Sequence, residues 1–259
     1  MQRHIRNTVA FYTFDSLSNS GKIIHAISTR HGGVSPAPFA SLNLSQSVGD
    51  APENVAANLE RWLCALDLKR DSVVSARQAQ ADQVAIVTRA TRGALIQNVD
   101  ALITRARGIP LLLRFADCVP ILFCDAKRNA IGIAHAGWRG TVAKIATKTL
   151  RAMRASFGTN PRDVIASIGP AIGPCCYAVG EDVAAQARAA FPDAGVLIKQ
   201  ANGATHFDLW EANAWQLREQ GVAQIEIARI CTAEYTDDFY SHRGEKGKAG
   251  RFGAVIAIA

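Results

Sequence analysis

Two stretches of this 259-residue chain place reactive side chains at the ends of apolar runs. The first, RFADCVPILFCD at residues 114 to 125, puts Asp117 and Cys118 at a break just before Pro120. The second, AIGIAHAGWRG at residues 130 to 140, delivers His135 into a turn with Gly137, Trp138, Arg139 and Gly140. A lone cysteine or histidine at such a place is usually a packing residue. The pair changes that reading. If the run after Cys118 and the run before His135 form neighbouring strands, their side chains meet. A thiol beside an imidazole suits nucleophilic catalysis or zinc binding; both need the thiol deprotonated, and the residues leave both open.

Three arginines are candidate anion contacts. Arg139 offers a forked donor next to glycines and a helix start after Gly140, where unpaired N–H groups favour an anion. Arg30 follows an apolar run in STRHGGVSPAPFASLNLS, and Arg243 lies in DFYSHRGEKGKAGRFGAVI, whose lysines are expected to be solvated. The Gly/Lys loop there lacks the ending of a P-loop. SIGPAIGPCCYAVG, residues 167 to 180, reads as a rigid loop with two Gly-Pro pairs and with Tyr177 as a stacking or hydrogen-bonding group. Its vicinal Cys175 and Cys176 lack metal-site spacing. The six cysteines form no CxxC pair, so reduced thiols are expected. Cys64, Cys124 and Cys231 are expected to pack in the core.

The elements that must hold these residues are mostly short apolar strands. Strand-like runs recur at 23–28, 84–88, 101–104, 111–115, 119–124, 130–134, 164–168, 225–230 and 254–258. Helical periods are fewer. One opens at a capping-box-like Asp50 and Glu53 with Pro52; a second follows Gly140 and ends at Gly158; two more cover 181–191 and 209–220. Many strands and few helices, out of strict alternation, predict one α/β (α+β) domain with a mixed sheet or paired sheets.

Composition bounds the function. Hydrophobic residues are 49% and charged residues 20% of the chain, which is ordinary globular material. The formal charge of +7 favours anionic small molecules. No aromatic-interleaved basic stripe points to nucleic acid. No apolar run suits a membrane span or a signal peptide, so a cytoplasmic location is expected. Oligomeric state is not readable.

Taken in order, STRHGGVS, SLNLS, VGDAPENV, DALIT, ADCVPILFCD, AHAGWRG, IGPAIGPCCYAVG, DLWEAN and FYSHR resemble the YfiH family, also called the multicopper polyphenol oxidase or laccase-domain family. The resemblance implies a single domain over residues 1–259, with sheets packed together and flanked by helices. It also implies a cytosolic enzyme with one cysteine and two histidines around zinc. Implied activities are phosphorolysis of purine nucleosides (adenosine, inosine, methylthioadenosine) and adenosine deamination. Cysteine hydrolysis that edits peptidoglycan precursors, copper polyphenol oxidation, and a non-enzymatic binding module with a degraded site are the alternatives. By motif, Cys118 and His135 take two of the metal and catalytic positions. Arg30, Arg139 and Arg243 take phosphate, and His135 is a candidate proton donor. The first histidine is replaced: RQAQADQV carries Gln80 there, an amide oxygen poorly suited to zinc. Zinc is therefore expected to be weak or absent, and copper less favoured still.

Overall fold

The computed structural model describes residues 1–21 and 23–259. In chain order its elements are β1 (Gln2–Arg6), β2 (Val9–Thr13), α1 (Asp15–Ser18), β3 (Ile23–Ser28), α2 (Pro52–Ala65), β4 (Val74–Arg77), β5 (Val84–Val87), β6 (Leu95–Gln97), β7 (Ala101–Thr104), β8 (Leu111–Phe115), β9 (Val119–Asp125), β10 (Ala130–Ala136), α3 (Trp138–Val142), α4 (Ile145–Phe157), β11 (Val164–Ile168), β12 (Ala178–Val179), α5 (Glu181–Ala190), β13 (Leu197–Lys199), β14 (Thr205–Phe207), α6 (Leu209–Glu219), β15 (Gln224–Ile227) and β16 (Phe252–Ile258).

They build two large mixed sheets and a small one. The first runs β1-β2-β3-β16-β8-β4-β6, the second β15-β11-β9-β10-β7-β5, and the third β12-β14-β13. Side-chain alternation along a strand explains the layering. Leu111, Leu113 and Phe115 of β8, with Phe252, Ala254 and Ile256 of β16, meet Leu122, Cys124, Ile131 and Ile133 of the second sheet in one buried core. The intervening residues, Leu112 and Val255, turn the other way and pack with Trp62 and Leu63 of α2. Ile121 and Phe123 of β9 leave the second sheet on its far face, where α4 and α6 cover them with Leu150, Met153 and Leu217. The order is thus helix, sheet, sheet, helices, and each central strand is buried on both faces. That is why these strands read as unbroken apolar runs rather than as alternation.

Two expectations change in detail. The segment after Gly140 is two helices, because Lys144 adopts a left-handed conformation (φ 65°) between them. Its ammonium lies 3.4 Å from the centroid of the Phe191 ring and also faces Trp215, so a cation–π contact fixes the break. The capping box at Asp50 does not form. Ala51 is the N-cap of α2. The Asp50 carboxylate instead accepts hydrogen bonds from Ser35 Oγ (2.6 Å) and Asn43 Nδ2 (2.8 Å), tying down the preceding loop.

Candidate functional site

The register of β9 and β10 makes the site. The two strands pair antiparallel, with His135 opposite Pro120 and Ala136 opposite Val119. Cys118 and Gly137 therefore follow as the next facing positions. A Cβ on Gly137 would lie 3.0 Å from Cys118 Sγ and 3.9 Å from His135 Cε1, so glycine leaves the space between thiol and imidazole open. His135 shares the face of Ile131 and Ile133, which points between the sheets, and its ring tilts against Phe115 at 5.4 Å.

Asp100 orients the imidazole. His135 Nδ1 donates to Asp100 Oδ1 at 2.7 Å, and the His135 amide donates to the Asp100 carbonyl at 2.7 Å. The same fully buried carboxylate accepts the amides of Ala79 (3.0 Å), Gln80 (3.1 Å) and Ala81 (2.9 Å). With Nδ1 committed, Nε2 is the nitrogen left for chemistry. Burial works against a charged His135. The Cys118 sulfur and then the Asp100 carboxylate outweigh it and push His135 up to about 9. Burial likewise opposes the Asp100 charge, but the hydrogen bonds from His135 and the loop amides hold it below its ordinary value.

Asp117 sets the departure of Cys118. It is left-handed (φ 82°), and its carboxylate accepts Ser241 Oγ (2.6 Å), Thr232 Oγ1 (2.8 Å) and the Arg243 amide (2.6 Å). These bonds knit the strand break to the loop that carries Arg243.

Cys118 and His135 line one end of a cavity of about 800 Å³, together with Gln80, Tyr177, Arg114 and Arg251. The arginines expected to meet an anion divide. Arg243 is exposed at the lining, 5.3 Å over the Tyr177 ring. Arg139 is exposed beside it, stacked on Trp138 at 4.4 Å and donating to Gln80 Oε1 at 3.4 Å. Arg30 does not line the cavity. Its guanidinium donates to Ala40 O, Thr236 O and Glu245 Oε1 and stacks on Tyr240, so backbone carbonyls and a carboxylate satisfy it as a brace between loops. The helix start after Gly140 is also displaced, since Gly140 lies inside α3.

Arg114 and Arg251 were not singled out from sequence. Each lines the cavity, and among the described residues neither has a carboxylate within 4.0 Å. Burial pulls both below the ordinary guanidinium value. The Cys118 sulfur and Asp117 offset this in part for Arg251, which places that guanidinium in the electrostatic field of the Cys118 end. Arg114 donates to the Leu44 carbonyl (2.5 Å) and Arg251 to the carbonyls of Ala249 and Gly250 (2.8 Å each), so backbone holds both guanidiniums at the cavity lining while no carboxylate pairs with their charge.

The donor set does not fit a resident zinc ion at this end. Cys118 and His135 supply two ligands, whereas zinc sites use three or four protein groups. Gln80 lines the same cavity, but its amide oxygen is a poor donor to zinc and is engaged by Arg139. Among the described residues, the grouping of three metal-ligating side chains is elsewhere, at Cys175, Cys176 and Cys231.

The family model described as "Multi-copper polyphenol oxidoreductase laccase" matches residues 24–259. The chain belongs to this family. Among family relatives, a protein named purine nucleoside phosphorylase from Bacteroides thetaiotaomicron is 39% identical over 256 residues, covering 95% of each chain. One of the same name from Deinococcus radiodurans is 41% identical, covering 90% of this chain and 88% of its own. The laccase-like fold is shared with the crystal structure of YlmD from Geobacillus stearothermophilus (TM-score 0.93, 34% identity, 99% and 98% coverage). It is shared too with Bacillus licheniformis YfiH (TM-score 0.90, 31% identity, 98% and 97% coverage).

The sequence did carry signals for the residues missed. Arg114 is a charge inside the apolar run LLLRF, and Asp100 is an acid directly preceding the strand ALIT. Arg251 gave no comparable signal, because it lies in a polar Gly/Lys loop.

Proposed function

We propose that this cavity binds a purine nucleoside with phosphate and carries out phosphorolysis. The observation that carries the reading is the His135 ring, held through Nδ1 by Asp100, at one end of a cavity lined by Arg114 and Arg251. The names of the relatives support the same reaction. Phosphate, held by Arg251 and Arg114 with Arg243 nearby, attacks the anomeric carbon of the ribose. The C–N glycosidic bond breaks, and its electron pair leaves with the base. His135 Nε2 donates a proton to the departing purine, which a histidine raised to about 9 can do at neutral pH. Tyr177 and Trp138, each with an arginine against its ring, line the cavity where the base would sit. Deamination of adenosine belongs to the same proposal as a side activity, in which a base-activated water attacks C6 of the purine ring, the exocyclic C–N bond breaks, and the amino group takes up a proton and leaves as ammonia, giving inosine.

The test is product chromatography with inosine and adenosine, with and without phosphate. Free base appearing only with phosphate is expected; equal release without phosphate means hydrolysis and overturns the reading. Inosine formed from adenosine reports the deamination.

One observation favours a second reading. Cys118, His135 and Asp100 stand in the order nucleophile, base and orienting acid, as in cysteine hydrolases. In that case Cys118 attacks an amide carbonyl, such as one in a cell-wall precursor. Amide hydrolysis that is lost in Cys118→Ala, without turnover of any nucleoside, would promote it.

A further inference from the structure

Sequence spacing gave no reason to join Cys175, Cys176 and Cys231, and the fold joins them. Their sulfur atoms all lie within 4.8 Å of one another. The assembly is local and specific. Ala171 bridges to Cys231 as isolated β-structure, which brings the 231 segment alongside the Gly-Pro loop. The amides of Cys176 and Tyr177 both donate to the Gly173 carbonyl (3.0 Å each), a turn that brings the two vicinal thiols toward Cys231. The Gly173 amide donates to Cys231 Sγ at 3.2 Å. An N–H aimed at sulfur stabilises negative charge there and orients the ligand. A Cβ on Gly173 would lie 3.2 Å from Cys175 Sγ and 2.8 Å from Trp210, so glycine is needed for the loop to close this tightly.

We propose that these three thiols form a binding site for monovalent copper, distinct from the Cys118–His135 pair. Soft thiolates select Cu(I) or zinc among common metals. Zinc in a closed site wants a fourth ligand. Among the described residues no histidine, aspartate or glutamate joins the three sulfurs within the same distance. Cu(I) is satisfied by three thiolates and needs no fourth. Each thiol releases one proton to solvent as it coordinates, with no change in the oxidation state of sulfur or metal. Cys175 is exposed and Cys231 buried, which gives an incoming ion a route from the surface.

The experiment is anaerobic Cu(I) titration of the reduced full chain against a chromophoric Cu(I) chelator, with the near-ultraviolet thiolate-to-copper band as a second readout. Wild type, Cys118→Ser, Cys175→Ser and Cys176→Ser are compared. The two loop variants avoid the buried Cys231, and circular dichroism reports their folding. One equivalent retained in wild type and in Cys118→Ser, but released at least tenfold more readily in Cys175→Ser and Cys176→Ser, is the expected result. Three outcomes overturn the proposal. One is a copper equivalent that follows Cys118 instead. Another is zinc displacing Cu(I) from the wild type at equal concentration. The third is a reversible loss of two free thiols in air with no copper retained, which makes the cluster a disulfide pair.

Discussion

Replacing Asp100 by asparagine separates the role of this carboxylate from that of the fold around it. The rise of His135 from 6.5 to about 9 corresponds to roughly 3 kcal/mol in favour of the imidazolium, net of burial. Cys118 supplies part of this and Asp100 the rest. A hydrogen bond to a charged partner contributes about 1.5–3 kcal/mol. Exchanging the carboxylate for a neutral amide should therefore lower the His135 value by about 1–2 units. Asparagine also has one acceptor oxygen where Asp100 serves four donors from His135, Ala79, Gln80 and Ala81. Breaking such a buried charge pair costs about 3–5 kcal/mol. For a chain of this size that is a fall in Tm of roughly 10 °C.

The assay is the rate of phosphate-dependent base release between pH 6 and 10, alongside thermal unfolding. Wild-type activity should hold at neutral pH and fall as pH rises through about 9, where His135 gives up its proton. In Asp100→Asn the same fall should come about 1–2 units lower. An unchanged basic limb in folded variant protein would refute the assignment of His135 as the donor oriented by Asp100. Stability follows the same linkage. The His135 contribution is full below 6.5 and is lost as pH rises through about 9. The Asp100 contribution is full above its ordinary 3.8 and is lost as pH falls through its lowered value.

The remaining predictions concern the anion, the gap between thiol and imidazole, and the altered metal position. Arg251→Met should raise the KM for phosphate about tenfold or more, the loss of one charge-assisted bond, with the nucleoside KM little changed; equal rises in both would argue against an anion role. Gly137→Ala places a methyl 3.0 Å from Cys118 Sγ, so turnover should fall at least tenfold while Tm changes little; unaltered kinetics would mean that substrate does not enter between Cys118 and His135. Gln80→His should increase zinc affinity, measured by chelator competition at one pH, and adding Cys118→Ala should abolish the gain; equal affinity in wild type and Gln80→His would place residue 80 outside a shared site with Cys118 and His135.

The strands that position the site were legible because they are buried on both faces. Ile23–Ser28, Ala101–Thr104, Leu111–Phe115 and Val164–Ile168 form over the residues that their apolar runs predict. The pairing of β9 with β10, and with it the meeting of Cys118 and His135, followed from two adjacent runs. Strands with mixed faces were not legible. Gln2–Arg6 is largely exposed, and Leu95–Gln97 is a short edge strand whose pairing depends on Val74–Arg77. Tertiary contacts decide where two of the thiols sit and what they meet. Cys64 is exposed on α2 rather than packed in the core, and Cys231 is buried beside two thiols that spacing alone did not relate to it. Arg30 had the chemistry of an anion ligand, but carbonyls supplied by residues 40 and 236 lie too far along the chain for a local reading to find.

Gln80 changes what the remaining site residues can do, and the change is consistent with acid catalysis. A metal at His135 Nε2 needs the neutral ring. Cys118 and Asp100 push His135 up to about 9, so a metal seeking that nitrogen at neutral pH competes with a proton. A third strong ligand could offset such a cost; glutamine, a weak neutral donor, offsets little of it. The same proton is an asset when the task is to protonate a departing base. The arginines point the same way. A bound divalent cation would repel Arg251, whose guanidinium already lies in the field of the Cys118 end, whereas a phosphate would compensate both it and Arg114. On the proposed reading the cavity therefore serves an anion and a proton, and a thiophilic metal would find its best-matched ligands in the loop at Cys175, Cys176 and Cys231.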